Sequence, residues 1–206
     1  FHTIRKDSGL ISAWSIFCNY NNIVTKDVDF DYITISYGYN ADKILSSPER
    51  IWNFFLVKNP NSKDLLVRTN MVEKIVRQSI SINQIAVGDS LTSGIYLFET
   101  MRIAAKDYNA FFDYEKKMAK IHEDRKNNGI ISMWGFWRQI FPSSYNGAHY
   151  IYTVQSFPSI TEFERGGYTE KLAKKYFNLS LDDISKKIFT LRSIESSWLA
   201  RMSEKL

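Results

Sequence analysis

Three kinds of side chain that can bind or react recur in this chain at matched positions. The pairs, each separated by 120 positions, are His2 and His122, Arg5 and Arg125, and Trp14 and Trp134. An imidazole can act as a general base or as a ligand near neutral pH. An indole can form the wall of an apolar pocket, and a guanidinium can contact an anion. His122, Trp134, His2, Trp14 and Arg125 are therefore the candidate ligand-binding residues.

Each of these residue types also has a structural interpretation. A histidine near the end of a helix can satisfy the last carbonyls and interact favourably with the helix dipole. Strand alternation predicts that Trp14 and Trp134 face the interior between sheets, where an indole can simply fill a core. It places Trp137 on the opposite face, under a helix. An arginine in a last helical turn can cap the helix or pair with an acidic residue at the surface.

Several chemistries are excluded by the sequence. Cys18 is the one cysteine, so no disulfide can form within the chain and no cysteine-based metal site can exist. No phosphate-binding glycine loop, dinucleotide fingerprint or nucleophile elbow occurs. We therefore predict no catalytic residue, no metal and no cofactor. A haem site is the exception kept open, and it would need His122 or His149 aimed into a cavity.

Composition and charge indicate a globular chain. Of its 206 residues, 44% are hydrophobic and 15% aromatic, with a net charge of +5. That charge is too small to argue for nucleic acid, and no apolar run reaches the roughly 18 residues of a membrane span. The compartment stays open. A start at Phe1 rather than Met, with no cysteine pair, leaves export or a periplasmic location as one expectation.

The matched residues belong to a longer pattern, H-x-x-R-K-x-x-G-[LI]-I-S-x-W, over 2–14 and 122–134. Periodicity predicts a strand over 95–103, a helix over 108–127 closed by a glycine, and strands over 130–140 and 149–157. Helical segments then precede a last strand over 192–202. This order, β-α-β-β-α-β, is the ferredoxin-like unit.

The first copy fits the same order with its front missing. We expect the tail of a helix over 1–8, strands over 10–20 and 30–37, helices over 40–58 and 64–77, and a strand over 78–87. The predicted fold class is α+β, built from tandem ferredoxin-like βαββαβ repeats. The first repeat lacks its N-terminal strand and most of its first helix. The predicted domains are 1–88 and 94–206.

Tandem units with aromatic-rich strands resemble the dimeric α/β-barrel superfamily. That superfamily includes antibiotic-biosynthesis monooxygenase-like proteins and the tandem haem proteins of the chlorite-dismutase type. The stretch 121–142 (IHEDRKNNGIISMWGFWRQIFP) resembles a family of uncharacterised bacterial proteins with this tandem arrangement. The resemblance implies a fold and leaves the activity open, because one fold hosts many functions.

Two functions follow as expectations. The first is a non-catalytic protein that binds a small apolar or aromatic molecule in a cavity between sheets, with or without assembly into a homo-oligomer. The alternative is an oxidoreductase of the same superfamily, either cofactor-independent or haem-dependent and monooxygenase-like. The absence of nucleophile, nucleotide and metal patterns favours the first. The paired histidines and tryptophans keep the second open.

Overall fold

A computed structural model of the chain describes residues 2–24, 31–45, 48–64, 67–68, 79–88, 94–142 and 147–205. It divides into two compact units. The first comprises Phe1–Cys18, Asp29–Gln78 and Ser203–Leu206, and the second comprises Asn19–Val28 and Ser79–Met202. The division of the chain into domains 1–88 and 94–206 stays a prediction.

The first unit is built around an antiparallel pair of strands. Its described elements are α1 (His2–Asp7), β1 (Ala13–Val24, of which the first six residues belong to this unit), β2 (Tyr32–Tyr37), α2 (Ala41–Leu45), α3 (Pro48–Lys58) and a 3-10 turn at Pro60–Ser62. In the pairing of β1 with β2, Trp14 lies opposite Ser36. The helix predicted over 64–77 falls mostly outside the described residues.

The second unit contains the strands and helices predicted from position 95 onward, and also the strand predicted over 78–87. Its elements are β3 (Ile80–Val87), β4 (Ile95–Ala104), a 3-10 turn (Ala105–Asp107), α4 (Tyr108–Asn127), β5 (Met133–Phe141), β6 (Ala148–Phe157), α5 (Ile160–Arg165), α6 (Glu170–Phe177), α7 (Leu181–Leu191) and β7 (Ser193–Lys205, of which Ser193–Met202 belong to this unit). Its strands are ordered β7-β4-β6-β5-β3. Every pairing between neighbours is antiparallel. The fold class is α+β, as predicted, while the tandem repeat arrangement stays a prediction.

The two faces of this sheet differ in what they carry. On one face, Met101, Trp134, Phe136 and Ile151 form a single core with residues of the helices, among them Phe111 of α4. The opposite face carries aromatic residues as well, and the rings of Phe98 and Trp198 stack there with their centroids 4.5 Å apart. The helix-covered face therefore holds the core of this unit, and the candidate residues must be located relative to it.

Two absences hold for the part of the chain that the structure describes. None of its helices is both long and apolar enough to cross a membrane. No three residues among its histidines, cysteines, aspartates and glutamates come together as a metal site would require.

Candidate functional site

Helix α4 buries charged side chains in its contact with the sheet. Its buried residues are Phe111, Tyr114, Glu115, Ala119, Ile121, His122 and Arg125. Spacings of three and four residues put most of these on one face of a helix. The same face is thus apolar at Phe111 and Ala119 but ionisable at Glu115, His122 and Arg125. Buried ionisable groups are costly unless they are paired or neutral, so each needs a physical explanation.

His122 is buried flat against Trp134. The two rings are nearly parallel, at 15°, with centroids 4.4 Å apart, and His122 is 2% exposed. Its Nδ1 lies 2.9 Å from Nη1 of Arg125. Because a guanidinium can only donate, Nδ1 is the acceptor, which assigns the proton of the neutral ring to Nε2. Burial, followed by the charge of Arg125, holds the pKa of His122 well below its ordinary value.

Arg125 is almost completely buried, at 1% exposure. Besides the bond to His122, its Nη1 donates to Oε1 of Gln155 over 2.8 Å. Its Nε–H has no hydrogen-bond partner among the described residues. The prediction that Arg125 caps the helix or pairs with a surface acid is wrong, because the side chain runs inward along the sheet-facing side of α4 and meets no carboxylate in the described chain.

A tyrosine ring covers the guanidinium from the other side. The ring centroid of Tyr168 is 4.0 Å from Cζ of Arg125. It is 6.0 Å from the ring centroid of His122, with the two rings nearly perpendicular. Tyr168 lies between α5 and α6, directly after Gly166 and Gly167, whose φ angles are 65° and 74°. A side chain at Gly167 would collide with Ile130, since an added Cβ would lie 2.8 Å from Cγ2. The glycines therefore bring the loop close to the core and Tyr168 over Arg125.

The hydroxyl end of Tyr168 is in a charged environment. Tyr168 is 40% exposed as a residue, and the pKa of its hydroxyl is raised, mainly by burial. Four charged groups act on it, those of Arg125, Glu99, Glu115 and Arg192. We call Glu99, Glu115, His122, Arg125, Gln155, Tyr168 and Arg192 the polar layer.

Glu115 is the buried acid of α4 in the polar layer. It is 3% exposed and forms neither an ion pair nor a hydrogen bond within the described chain. Burial raises its pKa to about 7, with Arg192 lowering it and Glu99 raising it. Glu99 accepts a bond from Thr153 Oγ1 over 3.3 Å. Arg192 also lines an open pocket of about 280 Å³, so this end of the layer borders solvent.

The first unit repeats the stacked histidine and tryptophan with an arginine nearby, and none of its described residues places an aromatic ring over that arginine. His2 stacks on Trp14 at 4.1 Å and 12°. Nη1 of Arg5 donates to Ser36 Oγ over 3.4 Å, and its Nη2 donates to the carbonyl of Ile44 over 2.6 Å. A backbone carbonyl thus holds this guanidinium where an aromatic ring covers Arg125. Burial, followed by the charge of Arg5, lowers the pKa of His2 to about 4.

The structure therefore brings His122, Arg125 and Trp134 together, and separately His2, Arg5 and Trp14. It places Trp134 on the helix-covered face, not on the face predicted to look toward a second sheet. Trp137 lies on the face opposite to the one that α4 covers. Alternation gives which residues share a face but not which face the helix covers. The prediction of Trp134 in a cavity between sheets is thus wrong in its location, because α4 packs directly on Trp134.

Three residues of the site were not predicted from the sequence, namely Gln155, Tyr168 and Glu115. Gln155 pairs with Trp134 across β5 and β6, so a register prediction could have found it. Glu115 sits seven residues before His122 on the same helical face, a signal that was available. Tyr168 follows a Gly-Gly pair that marks a turn, but no local pattern connects it with Arg125.

Comparison with known proteins supports the fold alone. No family model matches the chain, and no curated protein matches it. Among solved structures, an anthrone oxidase-like protein is 8% identical with a TM-score of 0.53, covering 100% of this chain and 84% of its own. A second, a major regulator of staphylococcal pathogenesis, is 16% identical with a TM-score of 0.37, covering 62% of this chain and 72% of its own. The first likeness shows similarity of fold alone, and the second carries no argument.

Proposed function

We propose that this protein binds a small aromatic molecule non-catalytically in the polar layer of the second unit. The ligand ring takes the position over Arg125 that Tyr168 holds in the structure. One observation carries the proposal. A guanidinium that is 1% exposed, with an Nε–H lacking a partner in the described chain, is covered by a tyrosine ring that is itself 40% exposed.

The energetics favour an aromatic ligand. A ring over a desolvated guanidinium contributes about 2 kcal/mol, and a ligand ring can make the same contact as Tyr168. His122 and Trp134 already form a stacked aromatic wall beside it. The Nε–H of Arg125, which has no partner in the described chain, can donate a hydrogen bond to a polar atom of the ligand. The proposed site thus combines a few polar groups with aromatic side chains, as small-molecule sites generally do.

We infer that this binding needs no cofactor. A haem iron requires an imidazole nitrogen directed at the metal. Nδ1 of His122 accepts a hydrogen bond from Arg125, so the proton of the neutral ring lies on Nε2, and the ring is stacked on Trp134. In this tautomer neither nitrogen has a free lone pair to offer to iron, which does not fit an axial ligand. The oxidoreductase alternative was kept open by the paired histidines and tryptophans. The likeness to an anthrone oxidase-like protein does not strengthen it, because a likeness at 8% identity carries no substrate with it.

Fluorescence titration with anilinonaphthalene sulfonate, an aromatic dye bearing one anion, tests the proposal. We expect saturable binding that weakens about tenfold in Arg125→Gln, the loss typical of one hydrogen bond to a charged group. Arg5→Gln, the matched position in the first unit, should leave affinity unchanged. Since Arg125→Gln can also disturb folding, Tyr168→Ala provides the second variant. It removes a partly exposed competitor and should tighten binding, whereas Phe189→Ala, an exposed aromatic at 58%, should not.

Three results would overturn the proposal. The first is dye affinity that is the same in all four variants. The second is oxygen uptake with formation of an oxidised product when the protein is mixed with anthrone, which would establish the oxidoreductase alternative. The third is a Soret band in protein purified from its native host, which would establish haem.

A further inference from the structure

A pocket of about 280 Å³ opens at one end of the sheet of the second unit, where β4 ends and where β6 and β7 begin. Drug-sized ligands occupy sites of about 300 Å³ or more, so this pocket suits a smaller molecule. We call it the end pocket. Small and apolar residues form part of its lining, and its polar lining consists of Arg102, Asp107, Thr190, Arg192 and Ser193. Apart from Arg192, these residues lie outside the polar layer.

The two arginines of the end pocket carry positive charge that no described residue neutralises. Neither forms an ion pair within the described chain. Arg192 follows the end of α7, where its backbone N–H donates to the carbonyl of Ile188 over 3.2 Å. Its Nη1 donates to the sulfur of Met101, which is a weak acceptor, and its Nη2 makes no hydrogen bond to a described residue. Arg102 is close in the sheet, since it pairs with Ser193 across β4 and β7.

The end pocket also contains an acidic group without a partner. Asp107 lines the pocket directly before the start of α4. Its carboxylate caps no backbone N–H of that helix, and it forms no ion pair with Arg102, Arg192 or any other described residue. Opposite charges that line one pocket without pairing are too far apart to neutralise one another. A ligand that carries both signs of charge can pair with all three groups.

The hydroxyls of the end pocket can accept hydrogen bonds. Ser193 Oγ donates to Oε1 of Glu195 over 2.8 Å, and Thr190 Oγ1 donates to the carbonyl of Lys187 over 2.7 Å. Since each hydroxyl has one hydrogen, both oxygens are left as acceptors. An ammonium group donates three hydrogen bonds and accepts none, so acceptors of this kind suit it.

We propose that the end pocket binds a small zwitterion of the α-amino-acid class. The carboxylate of the ligand pairs with Arg102 and Arg192, and its ammonium pairs with Asp107. Arginine is suited to the first contact because its planar donors match the two oxygens of a carboxylate. This site is separate from the one over Arg125, and it does not depend on aromatic binding there.

Ligands with a single charge fit the end pocket less well. A simple carboxylate would pair with the guanidiniums but would be repelled by Asp107, and a simple amine would meet the positive charges of Arg102 and Arg192. Because the pocket is open to solvent, which screens charge, each pairing should change affinity by about five- to tenfold rather than by the larger factor of a buried pair.

NMR titration of the full chain with L-alanine, propionate and ethylamine tests the proposal, because the three probes share a carbon frame and differ in charge. We expect L-alanine to shift the amide resonances of Gly147 and Ser193 saturably. It should bind about five- to tenfold more tightly than either of the other probes. Propionate binding as tight as that of L-alanine would overturn the zwitterion, and the absence of saturable shifts with L-alanine would overturn the site.

Two variants distinguish the two ends of the ligand. Arg102→Gln, at an exposed position, should weaken L-alanine binding about five- to tenfold. Asp107→Asn should abolish the preference for L-alanine over propionate without weakening propionate binding. The controls are Arg165→Gln and Asp113→Asn, which remove exposed members of ion pairs outside the pocket, and neither should change affinity. Losses of the same size in the controls would overturn the proposal, since the effect would then be one of net charge.

Discussion

Three ionisable side chains of α4 are buried against the sheet, and each is accommodated in a different way. His122 is neutral and stacked on Trp134. Arg125 keeps its charge, which Tyr168 and Gln155 stabilise. Glu115 has no partner within the described chain, and its raised pKa favours the protonated form. The stability of the protein should therefore depend on pH most directly through Glu115.

We predict that Glu115→Gln stabilises the protein at pH 8 and has little effect at pH 5. The folded pKa of about 7 lies above the ordinary 4.5, so the folded state binds more protons between these values. Stability contributed by the wild-type carboxyl is lost as pH rises through this window, by about 3 kcal/mol at most. Because glutamine does not ionise, the Glu115→Gln variant does not lose this stability as the pH rises. Urea denaturation at both pH values measures it, and a variant less stable than wild type at pH 8 would contradict the prediction.

The sequence predicted part of this site because part of it is repeated. His122, Arg125 and Trp134 were found through their counterparts, and the structure brings each set together. A self-alignment is blind to residues that occur in one copy only, which is why Tyr168 was missed. The burial of Arg125 was not predicted either. Helical spacing indicates on which side of the helix Arg125 lies, but not how closely the sheet packs against that side.

The turn from helix to strand is the element that both copies share most closely. Gly9 and Gly129 have φ angles of 67° and 72°. Their amides make equivalent hydrogen bonds. The N–H of Gly9 donates to the carbonyl of Lys6, and the N–H of Gly129 donates to the carbonyl of Lys126, each over 2.9 Å. The next amides, those of Leu10 and Ile130, donate to the backbone carbonyls of Arg5 and Arg125 over 2.9 and 3.0 Å. This helix end fixes where the histidine and arginine of the last turns stand relative to the strand that carries the tryptophan.

Substitution of two glycines separates backbone conformation from packing. In Gly129→Ala the added Cβ meets nothing within 4 Å, so only the positive φ is unfavourable, at about 1 kcal/mol. In Gly135→Ala the Cβ would lie 2.0 Å from Cη2 of Trp137. The indole must then move, at a cost of about 3 kcal/mol. Urea denaturation of both variants tests this.

The double variant Gly135→Ala/Trp137→Ala is the control for that comparison. With the indole absent, Gly135→Ala should add little further loss of stability, because its collision partner is gone. Equal losses for Gly129→Ala and Gly135→Ala in the wild-type background would show that Trp137 moves aside freely.

The strands and helices of the second unit were predicted within a few residues, because turn residues and periodicity mark their ends. The helix over 108–127 agrees with α4 at both bounds. The side of the sheet that α4 covers was predicted wrongly. Alternation along β5 is symmetric between faces, so only the long-range packing of α4 decides between Trp134 and Trp137.

At the scale of the whole molecule, the α+β fold does not determine the activity. The likeness to an anthrone oxidase-like protein spans the full chain at 8% identity, which leaves nearly every side chain different. Binding chemistry must then come from this chain's own residues. Those residues occur as two copies of the His-Arg-Trp group, which raises the question of how many aromatic ligands one chain binds.

We predict one aromatic ligand per chain. Both copies offer a histidine stacked on a tryptophan and an arginine beside it. Within the described part of the chain, Arg125 is covered by an aromatic ring that a ligand can replace, and Arg5 is not. Nη2 of Arg5 instead donates over 2.6 Å to the Ile44 carbonyl, a bond that a ring cannot substitute. Calorimetric titration of Tyr168→Ala with p-cresol, the tyrosine side chain in free form, should therefore saturate at about one equivalent, and Arg5→Gln should not change that number. Saturation at two equivalents, falling to one in Arg5→Gln, would show that the first unit binds as well and that the aromatic cover is not what makes the site.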